Sequence, residues 1–292
     1  MLPPGIAEKI RLIEIQSKKQ VHEVFSGAYK SVFKGRGIEF FEVREYLPGD
    51  DVRLIDWNVT ARMGRPYVKL FQEERQLTVM LMVDLSGSGR FGSGKISKNE
   101  LACQVAAVFA FSALRNNDKV GMILFTDRIE KFVPPARGNS HVLSLIRDIL
   151  LFKPEGRKTD IAGALRWFFR VQKKSAVVII LSDFLDEGYN KNLRLMDQHH
   201  DVIAIKIHDP RERDFPSIGL VRLEDAETGE VTLINTSDPG FRKEFARKTD
   251  EEEQTWQQAM KSARVDFISL STDEDYIPKL VSFFKKRTLR MG

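Results

Sequence analysis

A chain of 292 residues, 42% hydrophobic and 30% Asp, Glu, Lys or Arg, carries enough apolar material for a sizeable core and is not a disordered tail. Its 46 Lys and Arg against 41 Asp and Glu leave a net charge of +5, without the long basic block of a nucleic-acid arm. The single cysteine, Cys103, excludes an internal disulfide framework and any multi-cysteine metal site, and no apolar run approaches the roughly 20 residues that span a bilayer.

Met1-Leu2-Pro3-Pro4-Gly5 is not the basic-then-apolar opening of a signal peptide, so a cytoplasmic location is the default expectation. Ile6, Ile10, Ile13, Val21, Val24 and Phe25 recur at roughly helical spacing among charges, which predicts a helix over 6–26. From 27 to 75 the pattern changes. Gly27, Gly35, Gly37, Pro48, Gly49, Gly64 and Pro66 interrupt short extended pieces such as 67–71, too short for a core of their own. Residues 1–75 are therefore expected to pack on a main domain formed by 76–292.

From Leu77 onward strand and helix patterns alternate. Apolar runs of strand length fall at 77–83, 120–125, 176–181, 202–207 and 266–270, with helical stretches at about 97–116, 140–151, 160–172, 189–200, 240–263 and 274–287. Such alternation predicts an α/β fold with a doubly wound, mostly parallel sheet covered on both faces. Ile129-Glu130-Lys131-Phe132-Val133 follows the second strand too soon for a parallel crossover and is expected as an antiparallel edge strand. One insertion breaks the rhythm: the extended runs 219–225 and 230–234 flank Ala226-Glu227-Thr228-Gly229 and predict a hairpin over 219–234.

The chemistry concentrates where these strands end. Asp84, Ser86 and Ser88 put three oxygen-bearing side chains at alternate positions after the first strand, and ligands of open α/β sheets bind outside the carboxyl ends of strands. Thr159 and Asp160 stand before a helix, where either also serves as an N-cap. Ser182 and Asp183 directly follow a later strand, where they also suit a turn. Together these make an all-oxygen set from three loops, suited to a hard divalent cation such as Mg2+.

The Asp84-x-Ser86-x-Ser88 motif, with Thr159 and Asp183 as second and third elements, resembles the von Willebrand factor A fold and its metal-ion-dependent adhesion site. That resemblance implies Ser86 and Ser88 as direct ligands of Mg2+ (Mn2+ or Ca2+ as substitutes), and Asp84, Thr159 and Asp183 as direct or water-mediated ones. It also implies a position left open for an Asp or Glu of a partner protein, with Gly87, Gly89, Arg90 and Asp160 as partner-facing neighbours. A second resemblance rests on Gly35-x-Gly37-x-Glu39-Phe40, on Arg44-Glu45-Tyr46-x-Pro48-Gly49-Asp50-Asp51-x-Arg53-x-Ile55-Asp56-Trp57, on Thr60-Ala61-Arg62 and on Phe71-x-Glu73-Glu74. This looks like the signature of bacterial domain-of-unknown-function family 58. The resemblance implies partnership with MoxR-type AAA+ ATPases in protein remodelling or metal-cofactor insertion. The signature charges suit an ion-pair network pinning the segment to the sheet domain, with Trp57 and Tyr46 as apolar anchors, or else a partner-facing surface.

The sequence therefore suggests a non-enzymatic, Mg2+-dependent protein-binding module, with neither nucleic acid nor a membrane span expected. The competing expectation is a metal-dependent nucleotide-binding or hydrolytic enzyme using the glycine-rich loop 87–95, in which Gly89 through Lys95 nearly make a P-loop. Ile96 stands where a P-loop needs Ser or Thr, and no acidic residue ends a second strand about 20 residues on, as a dinucleotide site requires. The five histidines lack zinc-motif spacing, and the basic tail 284–290 reads as the dipole-compensating end of a helix.

Overall fold

The computed structural model describes residues 6–21, 29, 38–73 and 77–291. The chain forms two compact units, one of Met1–Val32 with Thr78–Gly292 and one of Phe33–Leu77. Helix α1 (Ile6–Gln20) belongs to the first unit, where it packs against α3 (Lys98–Arg115). The helix thus goes with the sheet rather than with the signature segment, because Ile13 and Ser17 on one of its faces are buried there. Val24 and Phe25 lie outside the described residues, as do Gly27, Gly35, Gly37 and Glu74.

The smaller unit is a hairpin of β1 (Ile38–Glu45) and β2 (Tyr67–Glu73), antiparallel with a bulge near Phe40 and Glu42. Between its strands, Asp51 caps a 3-10 turn at Val52–Leu54, and Asp56 caps α2 (Trp57–Met63) by accepting the Asn58 and Val59 amides. Gly64, at φ 68°, ends α2 in the left-handed conformation that a Cβ would strain. The signature charges pair with one another inside this unit. Arg44 grips Asp50 with two nitrogens at 2.8 and 2.7 Å, Arg53 holds Asp51 at 2.9 Å, and Lys69 lies 3.5 Å from Asp56. Trp57 is 69% exposed, at the first position of a seven-residue helix.

The larger unit carries the expected α/β sheet. Six strands run in the order β10-β7-β6-β3-β4-β5: β3 (Thr78–Asp84), β4 (Lys119–Phe125), β5 (Ile129–Ala136), β6 (Val177–Ser182), β7 (Asp201–His208) and β10 (Asp266–Ser271). Five are parallel and β5 is the antiparallel edge, where Pro134 and Pro135 are tolerated. Val79 through Val83 have no exposed surface, as expected for a strand covered on both faces. Met80, Met82, Val178, Ile180, Val202 and Ala204 meet α5 (Ile161–Val171), α6 (Asn190–His199) and α7 (Pro239–Ala263) through Leu165, Phe168, Met196 and Met260. Alternation turns the intervening residues to the opposite face, which α3 covers, flanked by α1 and α4 (Asn139–Leu151). Helix α8 (Tyr276–Met291) follows β10, and β8 (Leu220–Glu224) with β9 (Val231–Asn235) form the expected hairpin. Among the described residues no helix is long and apolar enough to cross a membrane.

Candidate functional site

Strand order positions the site. Chain connections leave β3 towards β4 on one side, whereas β6, β7 and β10 build outward on the other, so the sheet has its switch point between β3 and β6. The register pairs Val83 with Leu181, which brings the next residues, Asp84 and Ser182, together at the rim. Ser182 Oγ donates to Asp84 Oδ2 at 2.6 Å and accepts the Phe184 amide at 2.9 Å. Asp84 Oδ1 accepts the Ser86 amide at 2.9 Å, which folds the loop back over the strand end. Ser86 Oγ and Ser88 Oγ then lie 3.1 Å apart, and Ser88 is hydrogen-bonded to Asp183. Phe184 holds φ 56°, an unusual backbone state for an aromatic residue and the kind of strain that collects at functional sites.

Asp84, Ser86, Ser88, Gly89, Ser182 and Asp183 thus share one narrow crevice, with a cavity volume of about 10 Å3. Lys98 enters it from the first turn of α3. Its Nζ donates to Asp183 Oδ2 at 2.8 Å and to Glu212 Oε1 at 2.5 Å, with 3% of the side chain exposed. Burial, then the nearby charge of Asp183, raises Asp84 to about 7. Burial works in the same direction on Asp183, but the Lys98 ammonium and the bonds from Lys98 and Ser88 outweigh it and hold Asp183 low. Burial works against the charge of Lys98, yet Asp183 and Glu212 keep its pKa raised. Asp183 is therefore the ionised carboxylate of the pair, and Asp84 the one that takes a proton more readily.

The donors fit a hard divalent ion in kind: carboxylate and hydroxyl oxygens, with two buried carboxylates whose repulsion a cation would relieve. Among the described residues no group of three or more His, Cys, Asp or Glu side chains could hold a metal, so the serine hydroxyls would have to contribute. Thr159 meets the inserted hairpin: its hydroxyl donates to Glu227 Oε1 at 2.9 Å, in the turn between β8 and β9. Burial and the charges of Asp183, Asp225 and Asp186 raise Glu227, only partly offset by Thr159. Asp160 acts as the N-cap of α5, accepting the Gly163 amide at 2.6 Å, with Arg166 3.7 Å away. Arg90 ends a 3-10 turn, Gly87–Arg90, and is exposed. Gly89 faces Asn99 so closely that a Cβ would fall 2.1 Å from its Oδ1.

Sequence inspection passed over Lys98, Glu212 and Glu227. Lys98 did leave a signal, since a lysine in the first turn of a helix opposes the helix dipole and needs a carboxylate nearby. In the glycine-rich loop several amides are already engaged within the protein. The Gly89 amide reaches Ser86 O, that of Phe91 reaches Ser88 O, and that of Ser93 reaches Asp209 Oδ2 at 2.9 Å. Asp209 has no exposed surface and also accepts the Ser93 hydroxyl, the Arg211 amide and the Thr272 hydroxyl, tying the loop to the ends of β7 and β10. Lys95 points to solvent.

These features define an α/β protein with an oxygen-lined crevice at the switch point of a mostly parallel sheet. The family described as "Protein of unknown function DUF58" matches residues 42–255, and the chain belongs to it. It is 32% identical over 287 residues to the uncharacterized protein Rv1480 of Mycobacterium tuberculosis, covering 97% of this chain and 90% of that protein. The same figures hold for Mb1516 of Mycobacterium bovis. Among solved structures, an aerotolerance-related membrane protein of Bacteroides fragilis is similar at a TM-score of 0.48 and 18% identity, covering 74% of this chain and all of that one. The SpRpn10 VWA domain is similar at 0.38 and 13%, covering 70% and 94%. Both structural likenesses are distant.

Proposed function

We propose that this chain is a protein-docking module whose rim crevice takes up a divalent cation, Mg2+ by preference, and presents it to an Asp or Glu of a partner protein. The observation that carries this proposal is the convergence of Asp84, Ser86, Ser88 and Asp183 in one crevice, with two buried carboxylates side by side. Ser86 and Ser88 would hold the ion directly; Asp84, Asp183 and Thr159 would do so directly or through water. The bound ion supplies a Lewis-acidic anchor for a carboxylate. Neutral hydroxyls cancel little of its charge, which leaves an electrostatic incentive for an acidic side chain from outside.

No covalent step is assigned to the crevice, and a cytoplasmic setting belongs to the same proposal. The family resemblance supports a MoxR-type AAA+ ATPase as the partner. Titration calorimetry with Mg2+ and Mn2+ tests the ion: the wild type should bind, and Asp84→Ala, still folded, should not. If the Asp84→Ala variant binds as tightly as wild type, the assignment is wrong. Pull-downs with and without EDTA test the docking, and equal recovery of partners in both would refute metal-bridged capture.

A further inference from the structure

The hairpin of β8 and β9 returns to the rim through its turn, and burial there is uneven. Asp225, Ala226, Thr228 and Gly229 are exposed, whereas Glu227 in their midst is half-buried. The turn is preformed. Asp225 Oδ1 accepts the amides of Glu227 and Thr228 at 2.8 and 2.9 Å, and the Asp225 amide closes the hairpin on Glu230 O at 2.8 Å. From this fixed backbone the Glu227 side chain reaches Thr159, the hydroxyl that the motif resemblance implies for the ion.

A second, independent contact lies alongside. Gly87 stands between Ser86 and Ser88, and a Cβ on it would fall 2.2 Å from the carbonyl oxygen of Ala226. The turn therefore rests directly on the serine loop, and only a glycine at 87 allows that approach. Glu227 also lies within electrostatic reach of Asp183, Asp186 and Asp225. Carboxylates gathered in this way repel one another unless a cation shares the space.

We propose that Glu227 occupies, from within the chain, the position a partner's carboxylate would take, so that the β8–β9 hairpin is an internal plug which docking must displace. This rests on the cation-site proposal above and adds to it the group that controls access. A carboxylate tethered on a two-strand arm competes at a high effective concentration, so a weakly binding acidic side chain would not enter unless the hairpin lifts. Selectivity would then come from whatever part of the partner moves the hairpin as well as from its acidic residue.

The full chain with Mn2+ as the probe tests this. Glu227→Gln keeps an oxygen for the Thr159 hydroxyl and removes the charge. Calorimetry should show about tenfold weaker Mn2+ binding. Water-proton relaxation should show about one more water on the bound Mn2+ than in wild type. Gly87→Ala, which pushes the turn away and leaves the carboxylate intact, should give the same gain in water. Unchanged affinity and water count in Glu227→Gln, with wild type binding Mn2+, would remove the plug alone. A wild type that takes up no Mn2+ would remove the cation site and the plug together.

Discussion

The two units of this chain are ordered by different means. In the sheet unit, Val79 through Val83 and Val178 through Leu181 have no exposed surface, and order comes from apolar burial shared among strands and helices. In the Phe33–Leu77 unit, Val68 is the only buried residue among the described side chains, and order comes from caps, a bulged hairpin and paired charges. The comparison teaches that a dense sequence signature need not mark a core. Asp50, Asp51 and Asp56 each accept a neighbouring amide, so their place in the signature follows from local turn chemistry.

The contrast can be broken by substitution. Phe168 is 1% exposed within the apolar face of the sheet unit. Phe168→Ala should cost about 4 kcal/mol in guanidinium unfolding, and a loss below about 1 kcal/mol would mean that burial does not order this unit. Lys98→Met leaves the buried Asp183 without its cation and should cost about 3 kcal/mol by the same measurement. An unchanged midpoint would show that Asp183 has another partner.

A pH-dependent effect separates Asp84 from the rest of the rim. Because burial and the neighbouring charge of Asp183 raise it from 3.8 to about 7, the folded chain binds its proton more tightly than the unfolded chain does. That stabilisation is complete below pH 3.8 and is lost as pH rises through about 7. In EDTA, wild type should therefore lose about 4 kcal/mol relative to Asp84→Asn across this window, read as the difference between their unfolding curves against pH. Parallel curves would contradict the buried, proton-binding Asp84. The smallest effect belongs to the other unit: Trp57→Ala, at an exposed position, should shift stability by no more than about 0.5 kcal/mol. A larger loss would give Trp57 the anchoring role that the signature suggested.

Much of the fold was legible in the sequence because its cues are local. Continuous apolar runs announced the parallel strands, and the short gap before Ile129 announced the antiparallel edge. The N-terminal helix is seen over Ile6–Gln20 of the expected 6–26, and its periodicity told which face is buried but not that Lys98–Arg115 covers it. The site was legible in part. Asp84, Ser86, Ser88 and Asp183 could be named from strand-end positions and resemblance, and they line one crevice. Asp160 showed the limit: cap and ligand need the same residue types before a helix, and Asp160 is a cap.

The amino-acid order by itself determined which segments are strands and helices, and that small oxygen-bearing side chains gather where strands end, because periodicity and capping act over a few residues. Only the tertiary structure decided that β3 lies beside β6, that Lys98 reaches Asp183 across 85 positions of chain, and that Glu227 returns to Thr159 across 68. Those contacts are set by strand order and by the shared burial of distant segments, and a charge leaves no mark in the sequence of the partner it will meet.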